Sequence, residues 1–249
     1  MNNKSRFGIG LPVIALATML PWAGWAQDTA TMQDDPHLWL EEVEGEKALA
    51  WAREQNQRSE GYLQAHSQFD GLQARNLEIL TSDERIAYPG LRGGEVYNFW
   101  RDAEHVRGIW RKTSLDAYRE DAPDWDVLLD VDALAESESE NWVWAGASCR
   151  YPDYDRCIVS LSIGGADAAV RREFDLKTRR FVDDGFKLSE SKSQLGWRDL
   201  DSVFLGPAFN EEQMTDSGYP RTVQIWERGT PIESATTVFE GEKTDVAVS

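Results

Sequence analysis

From Ile86 onward the chain is patterned in short runs rich in aromatic and β-branched residues, separated by Gly, Pro and Asp. The runs are Tyr97-Asn98-Phe99-Trp100, Gly108-Ile109-Trp110, Val127-Leu128-Leu129, Trp142-Val143-Trp144, Ile158-Val159-Ser160-Leu161, Glu173-Phe174-Asp175, Ser202-Val203-Phe204-Leu205, Val223-Gln224-Ile225-Trp226 and Thr237-Val238-Phe239. Strands of this length at regular spacing predict an antiparallel, mainly β structure, not the alternation of strand and helix that builds a Rossmann-like sheet. Upstream the texture is helical. Glu46 to Asn56 is made of strong helix formers, with Leu49, Trp51 and, behind them, Leu63 on an apolar side. A second helical stretch runs from about Asp70 to Leu80, with Leu72, Leu77 and Leu80 as the expected buried positions.

A weak internal repeat refines the β prediction. Ile109-Trp110-Arg111-Lys112-Thr113, Glu173-Phe174-Asp175-Leu176-Lys177-Thr178 and Ile225-Trp226-Glu227-Arg228-Gly229-Thr230 each place an aromatic residue and charged residues just ahead of a turn. The spacing of Trp110, Phe174 and Trp226 fits one four-stranded propeller blade per repeat. The expected fold is therefore a partial β-propeller of about three blades, preceded by a short α-helical segment. Three blades cannot close a ring, and an open end leaves unpaired edges and uncovered apolar surface. The expectation is that more chain follows Ser249, where another apolar alternation is beginning, or that the chain self-associates.

Charge and composition narrow the class. The 249 residues carry a formal charge of −18. Phosphate binding needs clustered Lys and Arg, so a nucleic-acid partner is not expected. Hydrophobic residues make up 41% of the chain, which is too apolar for a disordered one. Lys4 and Arg6 precede an apolar run from Ile9 to Leu20, and Gly24 and Ala26 stand where a signal peptidase needs small residues. Residues 1–26 are thus expected to be a secretory signal peptide, with the mature chain starting at Gln27 and no membrane attachment after cleavage. Residues 27–84 form the helical segment and 85–249 the partial propeller. The expected location is periplasmic or secreted.

Export gives Cys149 and Cys157 a meaning. They flank a turn-rich stretch between two strand-like runs, and a disulfide across that hairpin is the expected product in an oxidising compartment. No other constellation of residues points to chemistry. Two Cys with His37, His66 and His105 match no zinc-ligand spacing, and no metal or cofactor is expected. Gly146-Ala147-Ser148-Cys149-Arg150 is the nearest approach to a nucleophile elbow, but Arg150 stands where the second Gly belongs, so Ser148 reads as a hairpin residue. The pairs Asp34-Asp35, Glu41-Glu42, Asp183-Asp184 and Asp199 with Asp201 are expected on solvated faces in so acidic a chain. Asp130-Val131-Asp132 opens like a calcium loop but continues with Leu134 where an oxygen ligand belongs. Gly164-Gly165 lacks phosphate-loop spacing, and the tryptophans are expected to be packing within the blades.

Several of these segments, in this order, resemble one family. Asp35-Pro36-His37-Leu38-Trp39-Leu40-Glu41-Glu42-Val43 and Ala50-Trp51-Ala52-Arg53-Glu54-Gln55-Asn56 look like the opening signature of the prolyl oligopeptidase family of serine peptidases. Tyr97-Asn98-Phe99-Trp100-Arg101-Asp102, Gly108-Ile109-Trp110-Arg111, Leu161 to Asp167 with Arg172 to Leu176, and Asp216 to Val223 resemble propeller segments of its secreted bacterial members. The resemblance implies an N-terminal helical segment that packs on a C-terminal α/β-hydrolase domain in cis, with a seven-bladed propeller between them. That domain would carry the Ser, Asp and His that cleave short proline-containing peptides after proline, and the propeller would gate access. The expectation for this chain is that it stops inside the propeller, without the hydrolase domain, so no catalytic residue is carried over and the chain alone is inactive. The alternative is a non-catalytic secreted module that binds peptides or proteins on its β surface.

Overall fold

The computed structural model describes residues 35–42 and 44–248, so the leader expected at 1–26, and Asp34, lie outside the described residues. The chain divides into two compact units between Phe69 and Asp70. The first holds a 3-10 turn, Leu38–Glu41, and helix α1, Glu46–Gln64. Pro36 and Trp39 start it: the Trp39 Nε1 donates to the Pro36 carbonyl at 3.0 Å, Lys47 Nζ lies 4.1 Å above the Trp39 ring, and Trp51 meets that ring edge-on. Ala48 is the buried residue of α1, whereas Leu49, Trp51 and Leu63 are exposed.

The second unit begins at the second residue of helix α2, Phe69–Thr81. Here the expected burial fails: Leu72, Leu77 and Leu80 are 62%, 62% and 66% exposed. The helical period does place them on an apolar stripe, but a stripe is buried only where another surface covers it, and no described residue does so.

Three antiparallel sheets follow, each a meander with neighbours in chain order. The first comprises β1 (Gly90–Arg92), β2 (Glu95–Trp100), β3 (Ile109–Ser114) and β4 (Asp126–Asp130). The second comprises β5 (Trp142–Cys149), β6 (Arg156–Ile163) and β7 (Ala169–Asp175). Its fourth position is shared by β8 (Arg180–Phe181) and β9 (Lys187–Ser191), which pair with successive parts of β7. The third comprises β10 (Gln194–Trp197), β11 (Ser202–Gly206), β12 (Thr222–Glu227) and β13 (Thr236–Glu240). Helix α3 (Leu115–Tyr118) sits in the β3–β4 connection and α4 (Val131–Glu138) between the first two sheets. These are three unclosed propeller blades, and Trp110, Phe174 and Trp226 occupy the third strand of each.

The blades stack through their faces. Tyr97, Trp110 and Leu129 of blade 1 pack with Trp142, Cys157, Val159, Leu161 and Phe174 of blade 2. Ile158, Phe186 and Leu188 of blade 2 pack with Val203, Leu205 and Trp226 of blade 3. Strand β6 serves both cores. Its odd-numbered residues face blade 1 and Ile158 faces blade 3, so the run Cys157-Ile158-Val159 is buried on both sides, as a strand between two layers must be.

Four strands bring the chain back to the end of the blade from which it started. The β1–β2 turn at Gly93-Gly94 lies beside the β5–β6 turn, where the Tyr154 ring comes within van der Waals distance of Gly93. At the opposite end, Arg107 in the β2–β3 loop donates to the Asn141 side chain and to the Trp142 carbonyl, both at 2.8 Å, at the entry to β5. Both glycines of the β1–β2 turn have positive φ, 57° and 84°, as a tight hairpin that follows the strand twist requires.

Candidate functional site

The first strand of each blade is an edge strand, and these three edges converge. Arg92, ending β1, donates to the Ala147 carbonyl of β5 at 3.4 Å, and Trp197, ending β10, donates from Nε1 to the Ser148 carbonyl at 2.9 Å. In a propeller the first strands surround the central channel, so β1, β5 and β10 form a segment of channel wall. Leu91, Ala145, Ser148 and Gln194 are its exposed positions. At its turn end stand Tyr151, exposed, and Tyr154, with Arg150 held between Asp153 (2.8 Å) and Asp155 (2.7 Å).

Cys149 and Cys157 are register partners at the start of this turn and form a disulfide that closes it. The expected hairpin bridge is therefore present. Replacing both cysteines by serine is expected to cost about 2–3 kcal/mol on the loop-entropy estimate, read as a lowered urea midpoint. An unchanged midpoint would contradict it.

The other residues singled out in the sequence take structural positions. Ser148 lies in β5 opposite Ile158, and β5 leads through a turn into β6, where an elbow would need a helix. Asp130 caps α4, its Oδ1 accepting from the Ala133 N–H at 2.9 Å. Asp132 accepts from the Arg107 and Gly108 N–H groups at 3.0 Å, fastening α4 to the β2–β3 loop. Asp199 accepts from the Asp201 N–H at 2.9 Å within the β10–β11 turn. His66 accepts from the Gln68 N–H at 3.3 Å, and His105 Nδ1 lies 3.0 Å from Asp102. Among the described residues no group of three His, Cys, Asp or Glu side chains is placed to hold a metal ion.

One charged centre is not evident from the sequence. Glu173 in β7 is 1% exposed and accepts from Arg228 of blade 3 through both carboxylate oxygens, at 2.9 and 3.2 Å. The Phe186 N–H donates to it at 3.0 Å, and Arg156 Nε lies 3.5 Å away. Arg228 also lies over the Phe186 ring, 4.6 Å from its centre. The alternation with Phe174 assigns Glu173 to a polar face. In the middle blade, however, both faces are covered, and the clue is the unbroken apolar run of the neighbouring strand β6.

Asp155 supplies a pH-dependent contribution. Burial opposes its ionisation, but the hydrogen bond and positive charge of Arg150 outweigh burial and hold its carboxyl below the ordinary range. A carboxyl depressed on folding stabilises the fold fully above the unfolded value, about 3.9 for Asp, and this contribution is lost as pH falls through the folded value. Asp155→Asn is expected to flatten the stability profile below about pH 4. A variant with the parent's acid dependence would exclude Asp155 as its source.

Comparisons with known proteins agree with this architecture. The family described as prolyl oligopeptidase, N-terminal beta-propeller domain, matches residues 27–249. An uncharacterized peptidase of Sinorhizobium fredii is 37% identical over 214 residues, 86% of this chain and 30% of that protein. One from Rickettsia prowazekii is 35% identical over 218 residues, covering 84% and 30%. A solved post-proline cleaving enzyme from Rickettsia typhi superposes with a TM-score of 0.77 at 34% identity, over 84% of this chain and 31% of that one. The chain thus spans about 30% of the length of the curated relatives it matches. Three stacked blades, their convergent first strands and this match over residues 27–249 lead to one conclusion: the chain belongs to the prolyl oligopeptidase family, in the region of its N-terminal β-propeller domain.

Proposed function

We propose that this chain is the access-controlling part of an exported serine peptidase that cleaves short peptides after proline, with the Ser, Asp and His supplied by an α/β-hydrolase domain C-terminal to it in the same polypeptide. The observation that carries this reading is the likeness, at 34% identity and a TM-score of 0.77, to an enzyme named as post-proline cleaving. The convergent β1, β5 and β10 give it a physical role, since a channel wall excludes folded substrates by width. Export is supported by the leader-like residues 1–26 and by the Cys149–Cys157 disulfide, a bond typical of oxidising compartments.

The test compares residues 27–249 with the product of the complete reading frame. The longer protein is expected to hydrolyse a Gly-Pro reporter peptide, sensitive to a serine-directed inhibitor, and the 27–249 chain is expected to be inert. Inhibitor-sensitive turnover by residues 27–249, or a complete product inactive after proline, would overturn the proposal.

A second reading, a non-catalytic binding module, draws on the exposed Phe204, Val238 and Phe239 of blade 3. Sedimentation separates the two: a discrete, folded oligomer of residues 27–249 favours the module, and a monomer or an aggregate speaks against it.

A further inference from the structure

Blade 1 has a second side, turned away from blade 2. Across it run Val96, Asn98 and Trp100 of β2, paired with Thr113, Arg111 and Ile109 of β3. The segment that leads into the blade lies over this side: Asn98 Nδ2 donates to the Tyr88 carbonyl at 3.1 Å, Tyr118 donates to the Ala87 carbonyl at 2.8 Å, and Arg85 lies over the Trp100 ring. The cover itself is apolar outward, with Ile86 and Tyr88 exposed.

In the middle of this side Arg111 is held in an unusual way. Its guanidinium carbon lies over two indole rings, 4.5 Å from the centre of Trp100 and 4.3 Å from that of Trp125. Its Nε–H is taken by the buried Asn98, at 3.0 Å to Oδ1. Two indole rings and one acceptor therefore already engage the group. The remaining edge, with Nη1 and Nη2, has no hydrogen-bond acceptor and no carboxylate within 4 Å among the described residues. Asp102, the acid whose charge it feels, is engaged by Trp100 Nε1 and by the His105 and Glu104 N–H groups. Neither Nη is sealed from outside.

A fixed planar fork with one open edge matches a carboxylate bidentately, and because packing has already fixed it, little side-chain entropy is lost when the partner arrives. The cation is also partly stripped of water: burial lowers the Arg111 pKa to about 10, a cost that an incoming anion would offset.

Rings of blades close by bringing the last blade against the free side of the first. We infer that Arg111 is the receiving half of that closure, clamped by Trp100 and Trp125 to accept an Asp or Glu side chain from the blade that completes the ring. This rests on the reading that the working protein continues beyond Ser249. The closing contact is then ionic at its centre and apolar around it, through Ile86 and Tyr88.

The test uses the complete protein with Arg111→Lys, which keeps the charge but supplies a reactive amine. Carbodiimide joins an amine to a touching carboxylate as an amide and takes up the water as its urea. Digestion and mass spectrometry are expected to find the introduced amine joined to an Asp or Glu beyond residue 249, and no such peptide in the parent. Arg111→Met is expected to speed amide hydrogen exchange about tenfold in β2, β3 and the closing blade, as loss of a charge-assisted bond implies. A link from the introduced amine to Asp102 or another acid within residues 35–248 would overturn the inference. So would a link to a second copy, detected in a mixture of isotopically labelled and unlabelled protein, or no link in a folded variant. Activity of the same preparation on the Gly-Pro reporter is scored separately, so failure of the ring contact and failure of the peptidase reading give different results.

Discussion

Replacing Arg228 by methionine is expected to destabilise the protein by about 3–5 kcal/mol, the range for leaving a buried charge without its partner. Glu173 is 1% exposed, so its carboxylate cannot turn to water when Arg228 is removed. What stays is the Phe186 N–H at 3.0 Å and Arg156 at 3.5 Å, the latter already paired with Asp175. The change also removes the guanidinium stacked on Phe186 and its bonds to the Leu200 carbonyl, so blade 3 loses its charged anchor on Glu173 of blade 2. Glu173→Gln should cost less, about 1–3 kcal/mol, since the amide keeps the shape and one acceptor while losing the charge. Replacing both partners with apolar residues of similar volume should recover much of the loss, because no charge is then left buried alone. Urea unfolding of the three variants checks the ordering. A loss below about 1 kcal/mol for Arg228→Met would show that Arg156 alone satisfies Glu173.

Trp110→Ala is the second large effect, about 3–5 kcal/mol for an aromatic core residue. Trp110 is 2% exposed, and its ring lies 6.0 Å from Tyr97, 5.4 Å from Trp144 and 6.0 Å from Phe174, so it touches both blade 1 and blade 2. Phe174→Ala should fall in the same range, and the double variant should cost less than the two singles together, because the two cavities merge. Trp226→Ala, at the corresponding place between blades 2 and 3, should cost less than Trp110→Ala. Its ring has one aromatic partner, Phe186, and its Nε1 donates to Thr230 at the edge of the cluster. Equal losses for Trp110 and Trp226 would mean that the two interfaces are packed equally well.

The nine strand-like runs all fall on strands, with only Gly108 lying just ahead of its strand, because each combines aromatic or β-branched residues with a bounding turn. The strands that the pattern does not show are β1, β10 and the two that share the fourth place of blade 2, Arg180–Phe181 and the largely polar Lys187–Ser191. Gly90-Leu91-Arg92 and Gln194-Leu195-Gly196-Trp197 have little β-propensity and are strands through pairing with β2 and β11. The four residues of α3 are too few for a periodic signal, and α4 is concealed because Asp130-Val131-Asp132 reads as a broken calcium loop before it reads as the cap that Asp130 provides. The disulfide is legible because cysteine spacing and hairpin texture coincide. The exposed leucines of α2 are not, since a period says which side of a helix is apolar but not whether anything lies against it. Glu173 and Arg111 escape for a common reason: each takes its meaning from a different strand or blade, which only the assembled stack brings near.

An even strand count per blade has a consequence for how such a protein changes over evolutionary time. Because the chain enters and leaves each blade at the same end, copying or deleting one whole blade leaves everything before and after it on its original side. Gaining or losing a single strand would instead reverse the direction of every later strand and carry the following domain to the opposite end. Blade number is therefore open to variation by duplication of a gene segment, while strand number within a blade is nearly fixed. The split fourth strand of blade 2 fits that rule, since β8 and β9 run in the same direction and together count as one.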